Sequence, residues 1–194
     1  MITIDINGVI LNFYTQTTLF SPNGLDSGTN AMLSCVHFKT TDKVLDLGCG
    51  YGVVGIYAAK LIGEQNVTMV DVDATAIDVT RKNAKLNGVP NARVIHSDGF
   101  KNIDDSDYTL VLSNPPYHSD FSTAKHFIEK GFNRLIMGGK MVMVIKRKDW
   151  YKNKLIAIFG GVSIEKIDDY FIFTAEKRSD KYAKTAKLSR GCRQ

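Results

Sequence analysis

Between Lys43 and Phe159 the chain alternates short apolar runs with longer segments of helical period, and this limits the possible folds more than any other feature. Val44-Leu45-Asp46-Leu47, Val67–Val70, Arg93–Ile95, Tyr108–Leu112 and Met141–Ile145 each have the length and apolar content of a buried strand. Helical patterns separate them: Tyr51 to Leu61, Asp73 to Asn87, about Ser122 to Met137, and Asp149 to Phe159. A connection of ten or more residues brings each strand back parallel to the one before, by a right-handed path. The expected fold class is therefore α/β, a mainly parallel sheet with helices on both faces.

The flanks add to this frame. Ile2, Ile4, Ile6 and Val9, Leu11, Phe13 alternate on either side of Asn7-Gly8, which predicts a hairpin over 2–13, because both turn positions need positive φ. Phe20 to Gly28 reads as a loop by its Pro and Gly content, and 29–38 as a short helix. Asp73 and Asp149 are placed to cap helices, Gly88 to end one, and Gly138-Gly139 to break another. Val162–Ile167 and Tyr170–Ala175 read as an antiparallel closing pair.

A chain of 194 residues with 44% hydrophobic content supports one well-cored domain. The expected division is a domain over 1–177 and a basic tail over 178–194. That tail holds Arg178, Lys181, Lys184, Lys187, Arg190 and Arg193 against Asp180 alone, so it carries the whole net charge of +5. Such asymmetry suggests a polyanionic partner or a solvated tail. No stretch approaches a membrane span, and the N-terminus has no charged-then-apolar leader pattern. Cys35, Cys49 and Cys192 show no paired spacing, and His37, His96, His118 and His126 form no ligand cluster. The expectation is a cytoplasmic protein with no metal and no membrane contact.

Two stretches carry chemistry. The first, Ser113-Asn114-Pro115-Pro116-Tyr117, directly follows the Tyr108–Leu112 strand. Prolines cannot donate to a sheet ladder, so the strand stops, and Asn114 is held extended by the proline after it. The corner presents one amide, carbonyls and an aromatic face where open α/β sheets place their ligands. It can accept two hydrogen bonds from a planar NH2 group and stack on the ring that bears it. The second is Asp46-Leu47-Gly48-Cys49-Gly50-Tyr51-Gly52-Val53-Val54-Gly55, which joins a strand to a helix. Its glycines let backbone N–H groups approach a nucleoside-containing ligand. Gly50-x-Gly52-x-x-Gly55 also satisfies the dinucleotide fingerprint, so a nicotinamide dehydrogenase is a competing reading. Against it, glycine begins earlier, at Gly48, and the proline corner has no part in hydride transfer.

Val44 to Gly50, Val70-Asp71, Ser97-Asp98 and Asn114-Pro115-Pro116-Tyr117, in this order and spacing, resemble a class I S-adenosylmethionine (AdoMet)-dependent methyltransferase with its Rossmann-like fold. Phe20-Ser21-Pro22-x-Gly24-Leu25-Asp26-x-Gly28 and His118 narrow the resemblance to the methyltransferase small domain family. Within it, the chain is similar to the small-subunit ribosomal RNA guanine-N2 methyltransferases. Larger members of that family carry a second, degenerate copy N-terminally, and this chain has only the motif-bearing copy.

The resemblance implies a seven-stranded sheet with an antiparallel last strand, AdoMet as cofactor, and ribosomal RNA or the small ribosomal subunit as partner. It implies that Gly48, Cys49, Gly50 and Gly52 line the methionine and ribose, with Asp46 near the ammonium. Asp71, with Val72 beside it, accepts from the ribose hydroxyls, and Asp98 accepts from the adenine amino group, with Gly99 and Phe100 beside the ring. Thr29 and Asn30 can close over the cofactor, although helix capping explains either residue alone. Asn114 Oδ1 and the Pro115 carbonyl accept the hydrogens of the attacking nitrogen. Tyr117 stacks on the base, and Pro116, His118, Lys146 and Arg147 contact substrate; Lys146-Arg147-Lys148 is otherwise a solvated charge run. Methylation of a protein glutamine amide or of adenine N6 are the enzyme alternatives. An accessory AdoMet- or RNA-binding module is the non-enzyme alternative.

Overall fold

The computed structural model describes residues 1–115 and 121–183. It opens with a hairpin of β1 (Ile2–Ile6) and β2 (Val9–Phe13), whose turn residues Asn7 and Gly8 have φ of 51° and 84° as the Asn-Gly pair requires. Then follow α1 (Ser27–Cys35), β3 (Val44–Leu47), α2 (Val53–Ile62), β4 (Val67–Asp71), α3 (Ala74–Leu86), β5 (Arg93–His96) and β6 (Tyr108–Ser113). The chain continues through α4 (Phe121–Arg134), β7 (Leu135–Ile145), α5 (Asp149–Phe159), β8 (Ser163–Ile167) and β9 (Tyr170–Glu176). The main sheet has seven strands in the order β5-β4-β3-β6-β7-β9-β8. β9 alone runs against the others, pairing antiparallel with both β7 and β8.

Alternate strand residues feed two cores. Val44, Met69, Leu112 and Val144 pack with the hairpin, α1, α2 and α3 on one face. Leu45, Val70, Val111 and Met143 pack with α4 and α5 on the other. Strands buried on both faces read as continuous apolar runs, which is why they stood out in the sequence.

Four local expectations are corrected. Helix α1 covers Ser27–Cys35, not 29–38, because Asp26 caps it through the Thr29 N–H at 2.8 Å. Helix α4 ends at Arg134, not Met137: Leu135 pairs with Tyr108 and opens β7, leaving Ile136 and Met137 exposed. Gly138-Gly139 is accordingly an irregularity inside β7, where a Cβ on Gly139 would meet the Ile136 carbonyl oxygen at 2.9 Å. Asp149 is the first residue of α5, and Lys148 occupies the cap.

The basic segment also begins differently from the expectation of a purely appended tail. Tyr182 packs edge-on to Phe132, with centroids 5.1 Å apart, and donates to the Glu129 carbonyl at 3.1 Å. The Ala183 N–H reaches the Ile158 carbonyl at 3.0 Å, so residues up to 183 dock on α4 and α5. Lys184, Lys187, Arg190 and Arg193 lie outside the described residues. Among the described residues no helix is long and apolar enough to cross a membrane.

Candidate functional site

β3 and β6 lie side by side in parallel, so the segments leaving them emerge at the same sheet edge. Ser113 Oγ donates to the Leu47 carbonyl at 2.8 Å and ties the two strand ends together. The glycine loop and Asn114 are thereby forced to face each other across a cavity of ≈ 350 Å³. Asp46, Gly48, Cys49, Gly50, Asp71, Val72, Asp98, Gly99 and Asn114 all line it.

Gly48 and Gly50 adopt φ of 78° and 55°, and nothing lies within 4 Å of a Cβ added to either. Their missing side chains leave the cavity wall as bare backbone. Gly52 is not a lining residue. It is the left-handed N-cap of α2, and a Cβ there would sit 2.9 Å from Thr80 Cγ2. Gly55 is tighter still, since an added Cβ would lie 2.2 Å from Met69 Cγ.

The loop is held from α3. Thr80 Oγ1 donates to the Gly50 carbonyl at 2.8 Å and Asn83 Nδ2 to the Tyr51 carbonyl at 2.8 Å, with both side chains fully buried. Sequence reading missed this pair. Its signal was available: Thr80, Asn83 and Asn87 recur at helical spacing, and each bonds backbone outside its helix.

Two carboxylates sit at different depths. Asp71 Oδ2 accepts from Gly50 N and Oδ1 from Asp73 N, each at 2.9 Å, while Asp73 caps α3 through Thr75 N. Asp46 is buried and accepts from Gly55 N at 2.8 Å. Burial above all, opposed by the Gly55 N–H and aided by the charge of Asp71, brings its pKa up to about 7. Burial, reinforced by Asp46 and Asp71, also raises the Cys49 thiol well above its usual range, so it stays protonated.

One wall comes from the 18–29 segment. Tyr51 Oη donates to the Ser21 and Gly24 carbonyls at 3.2 and 3.0 Å, pinning this segment to the glycine loop. Burial, then the charge of Asp26, pushes the Tyr51 pKa up to about 12. Thr29 is buried in the wall, whereas Asn30 is exposed and lies outside it. Asn114 Nδ2 donates to Asp26 Oδ2 at 2.8 Å and to Thr29 Oγ1 at 2.9 Å. Pro115 is buried and Phe100 is buried against Phe127, and neither lines the cavity; Pro116, Tyr117 and His118 lie outside the described residues.

Lys146 and Arg147 do not line the cavity; they form a basic rim at the carboxyl end of β7, the strand parallel to β6. Lys146 Nζ lies 4.9 Å from the Tyr170 ring centre, Arg147 Cζ 5.8 Å from Phe121, and Lys148 Nζ 5.5 Å from Phe171. Phe121 stacks on Trp150 at 4.5 Å, and Thr123, two residues on, lines the cavity. The arrangement suits a ligand with vicinal hydroxyls at Asp71 and a cationic group towards Asp46, with a further group meeting Asn114.

Known proteins resemble the chain along most of its length. Residues 10–174 match the family model of the methyltransferase small domain. An uncharacterized protein of Bacillus subtilis, YbxB, is 29% identical over 171 residues, covering 85% of each chain. The ribosomal RNA small subunit methyltransferase C of Psychromonas ingrahamii is 31% identical over 172 residues, covering 87% of this chain and 49% of that one. In structure, a Thermus thermophilus 16S rRNA N2 methyltransferase solved with AdoMet and guanosine superposes with a TM-score of 0.83. It is 25% identical, with 91% of this chain covering 50% of that one. The chain thus spans about half the length of these two methyltransferases.

Proposed function

The chain belongs to the methyltransferase small domain family, and from that premise we propose that it transfers a methyl group from AdoMet to the exocyclic N2 of a guanine in ribosomal RNA. The observation that carries this reading is the position of Asn114: it opens into the same cavity as Asp46 and Asp71, fixed there by the Ser113–Leu47 bond.

The residues present suit AdoMet. The bare backbone at Gly48 and Gly50 leaves room for a nucleoside at the N-terminus of α2. Asp71 is anchored by two N–H groups yet keeps acceptor capacity for both ribose hydroxyls. Asp46 answers the ammonium, and Val72, Asp98 and Gly99 border the adenine end. When bound, AdoMet supplies a sulfonium methyl open to in-line displacement. Asn114 Oδ1 and the Pro115 carbonyl accept the two hydrogens of the guanine amine. They aim its lone pair and stabilise the positive charge it gains. Positioning alone is worth about 7 kcal/mol or more in favourable cases. The methylated ammonium is acidic, so no strong base is required.

RNA is the partner proposed from the named relatives and the basic rim. Lys146, Arg147 and Lys148 can hold phosphates, and the Phe121–Trp150 stack can receive a base. Residues 1–177 are proposed as the catalytic domain, with the basic segment beyond 183 as an RNA contact.

The test is transfer of a tritiated methyl group to undermethylated ribosomal RNA, transfer RNA and total protein, with the product nucleoside identified. N2-methylguanosine in ribosomal RNA is expected, with Asn114→Ala losing turnover far more than AdoMet affinity. Label confined to protein, or equal loss of turnover and affinity, overturns the reading.

A further inference from the structure

We propose that Asp26 and Thr29 are positioning residues for the Asn114 amide: Asp26 fixes which edge meets the methyl acceptor, and Thr29 holds the amide in place once that edge is chosen. The inference rests on the placement of Asn114 in the reading above. Both Nδ2 hydrogens of Asn114 have acceptors, Asp26 Oδ2 at 2.8 Å and Thr29 Oγ1 at 2.9 Å. The amide is planar, so Oδ1 lies on its opposite edge. Turning the amide over would set Oδ1 against the Asp26 carboxylate, two acceptors in contact with no proton between them. Thr29 tolerates either orientation, because a hydroxyl both donates and accepts; the carboxylate makes the choice.

Asp26 is itself immobilised. The same Oδ2 accepts from Thr29 N at 2.8 Å as the N-cap of α1. The segment leading to it is held by the Tyr51 hydroxyl on the Ser21 and Gly24 carbonyls. The α1 cap, the glycine loop and the Asn114 amide therefore form one connected network. A carboxylate behind the NH2 group also polarises the amide and makes Oδ1 a better acceptor. The consequence is selectivity. A site that presents an oxygen favours an acceptor nitrogen that carries hydrogens, such as an exocyclic amine, over a ring nitrogen that carries none.

The test separates positioning from folding. Asp26→Ser keeps a strong N-cap but is too short to reach Asn114, and Thr29→Val keeps the shape but removes the acceptor. Each is expected to lower kcat by roughly 10- to 100-fold, against the 10²–10³ seen when an oxyanion donor is removed outright. AdoMet affinity stays within about threefold. Thr29→Ser, which keeps the hydroxyl, retains activity within about threefold, and Asp26→Asn, which keeps an oxygen but loses the charge, falls between wild type and Asp26→Ser. In Asn114→Ala protein the same two substitutions cost nothing more, because the group they position is gone. An independent readout without AdoMet is the side-chain amide proton pair of Asn114, identified by its disappearance in Asn114→Ala. Its exchange with solvent should quicken in Asp26→Ser and Thr29→Val. Equal losses in the presence and absence of Asn114, or unchanged amide exchange in both variants, overturn the proposal. A wild-type rate in Asn114→Ala overturns instead the reading on which it rests.

Discussion

Gly50 donates its backbone N–H to Asp71 Oδ2 at 2.9 Å, so the carboxylate at the end of β4 holds the glycine loop that follows β3. Asp71 thus both shapes the cavity and offers acceptors inside it. Asp71→Ala is expected to weaken AdoMet binding about 10- to 100-fold, the worth of one charge-assisted hydrogen bond. Asp73→Ala, which removes the α3 cap and one lining side chain but keeps the backbone N–H that anchors Asp71, should lower stability by about 1 kcal/mol and weaken affinity less than Asp71→Ala. Titration calorimetry and thermal unfolding on both variants check the contrast.

Close packing makes a prediction at Gly55. A Cβ 2.2 Å from Met69 Cγ forces a shift, so Gly55→Ala should destabilise by about 1–3 kcal/mol. Shortening Met69 to Val in the same protein should recover part of the loss. Additive losses in chemical denaturation would show that the contact is not the cause.

Asp46 gives a pH dependence. Its carboxyl titrates at about 7 in the folded chain, above its ordinary value, so the fold favours the protonated form. Its contribution to stability is full below about pH 4 and is lost as pH rises through about 7. A ligand ammonium favours the opposite, ionised form. Binding of AdoMet at pH 6 should therefore release a proton, and affinity should rise as pH climbs towards 7. Calorimetry in buffers of different ionisation enthalpy measures this, and Asp46→Asn should abolish it. Proton uptake at pH 6 would contradict the assignment of Asp46 to the ammonium.

The basic rim predicts a salt effect. Replacing Lys146 and Arg147 by Ala should weaken RNA binding and reduce the slope of log affinity against log salt by about 1.4, at roughly 0.7 per single-strand phosphate contact. AdoMet affinity should not change, since neither residue lines the cavity. An unaltered slope removes the rim from the RNA path.

Docking of Tyr182 separates two truncations. Ending the chain after Ala183 removes Lys184, Lys187, Arg190 and Arg193 but keeps the Phe132–Tyr182 contact. It should flatten the salt slope for RNA and leave the melting temperature in place. Ending it after Lys177 also removes Tyr182 and should lower the melting temperature by several degrees. Identical melting temperatures for the two would show that residues 178–183 add nothing to stability.

The sequence by itself determined the layered α/β architecture, the hairpin and the two motif-bearing corners, because these depend on periodicity, on proline's missing N–H and on glycine's access to positive φ. Such rules act over a few residues and leave a direct trace. Only the tertiary structure decided that Leu135 leaves α4 for β7, since pairing with Tyr108 overrides a helical pattern that Ile136 and Met137 otherwise continue. Only it brought Thr80 and Asn83 under the glycine loop, and Asp26 and Thr29 to the amide of Asn114, across gaps of 30, 32, 88 and 85 residues. A buried polar side chain takes whichever partner the packing delivers, and the spacing of residues along the chain does not encode that partner.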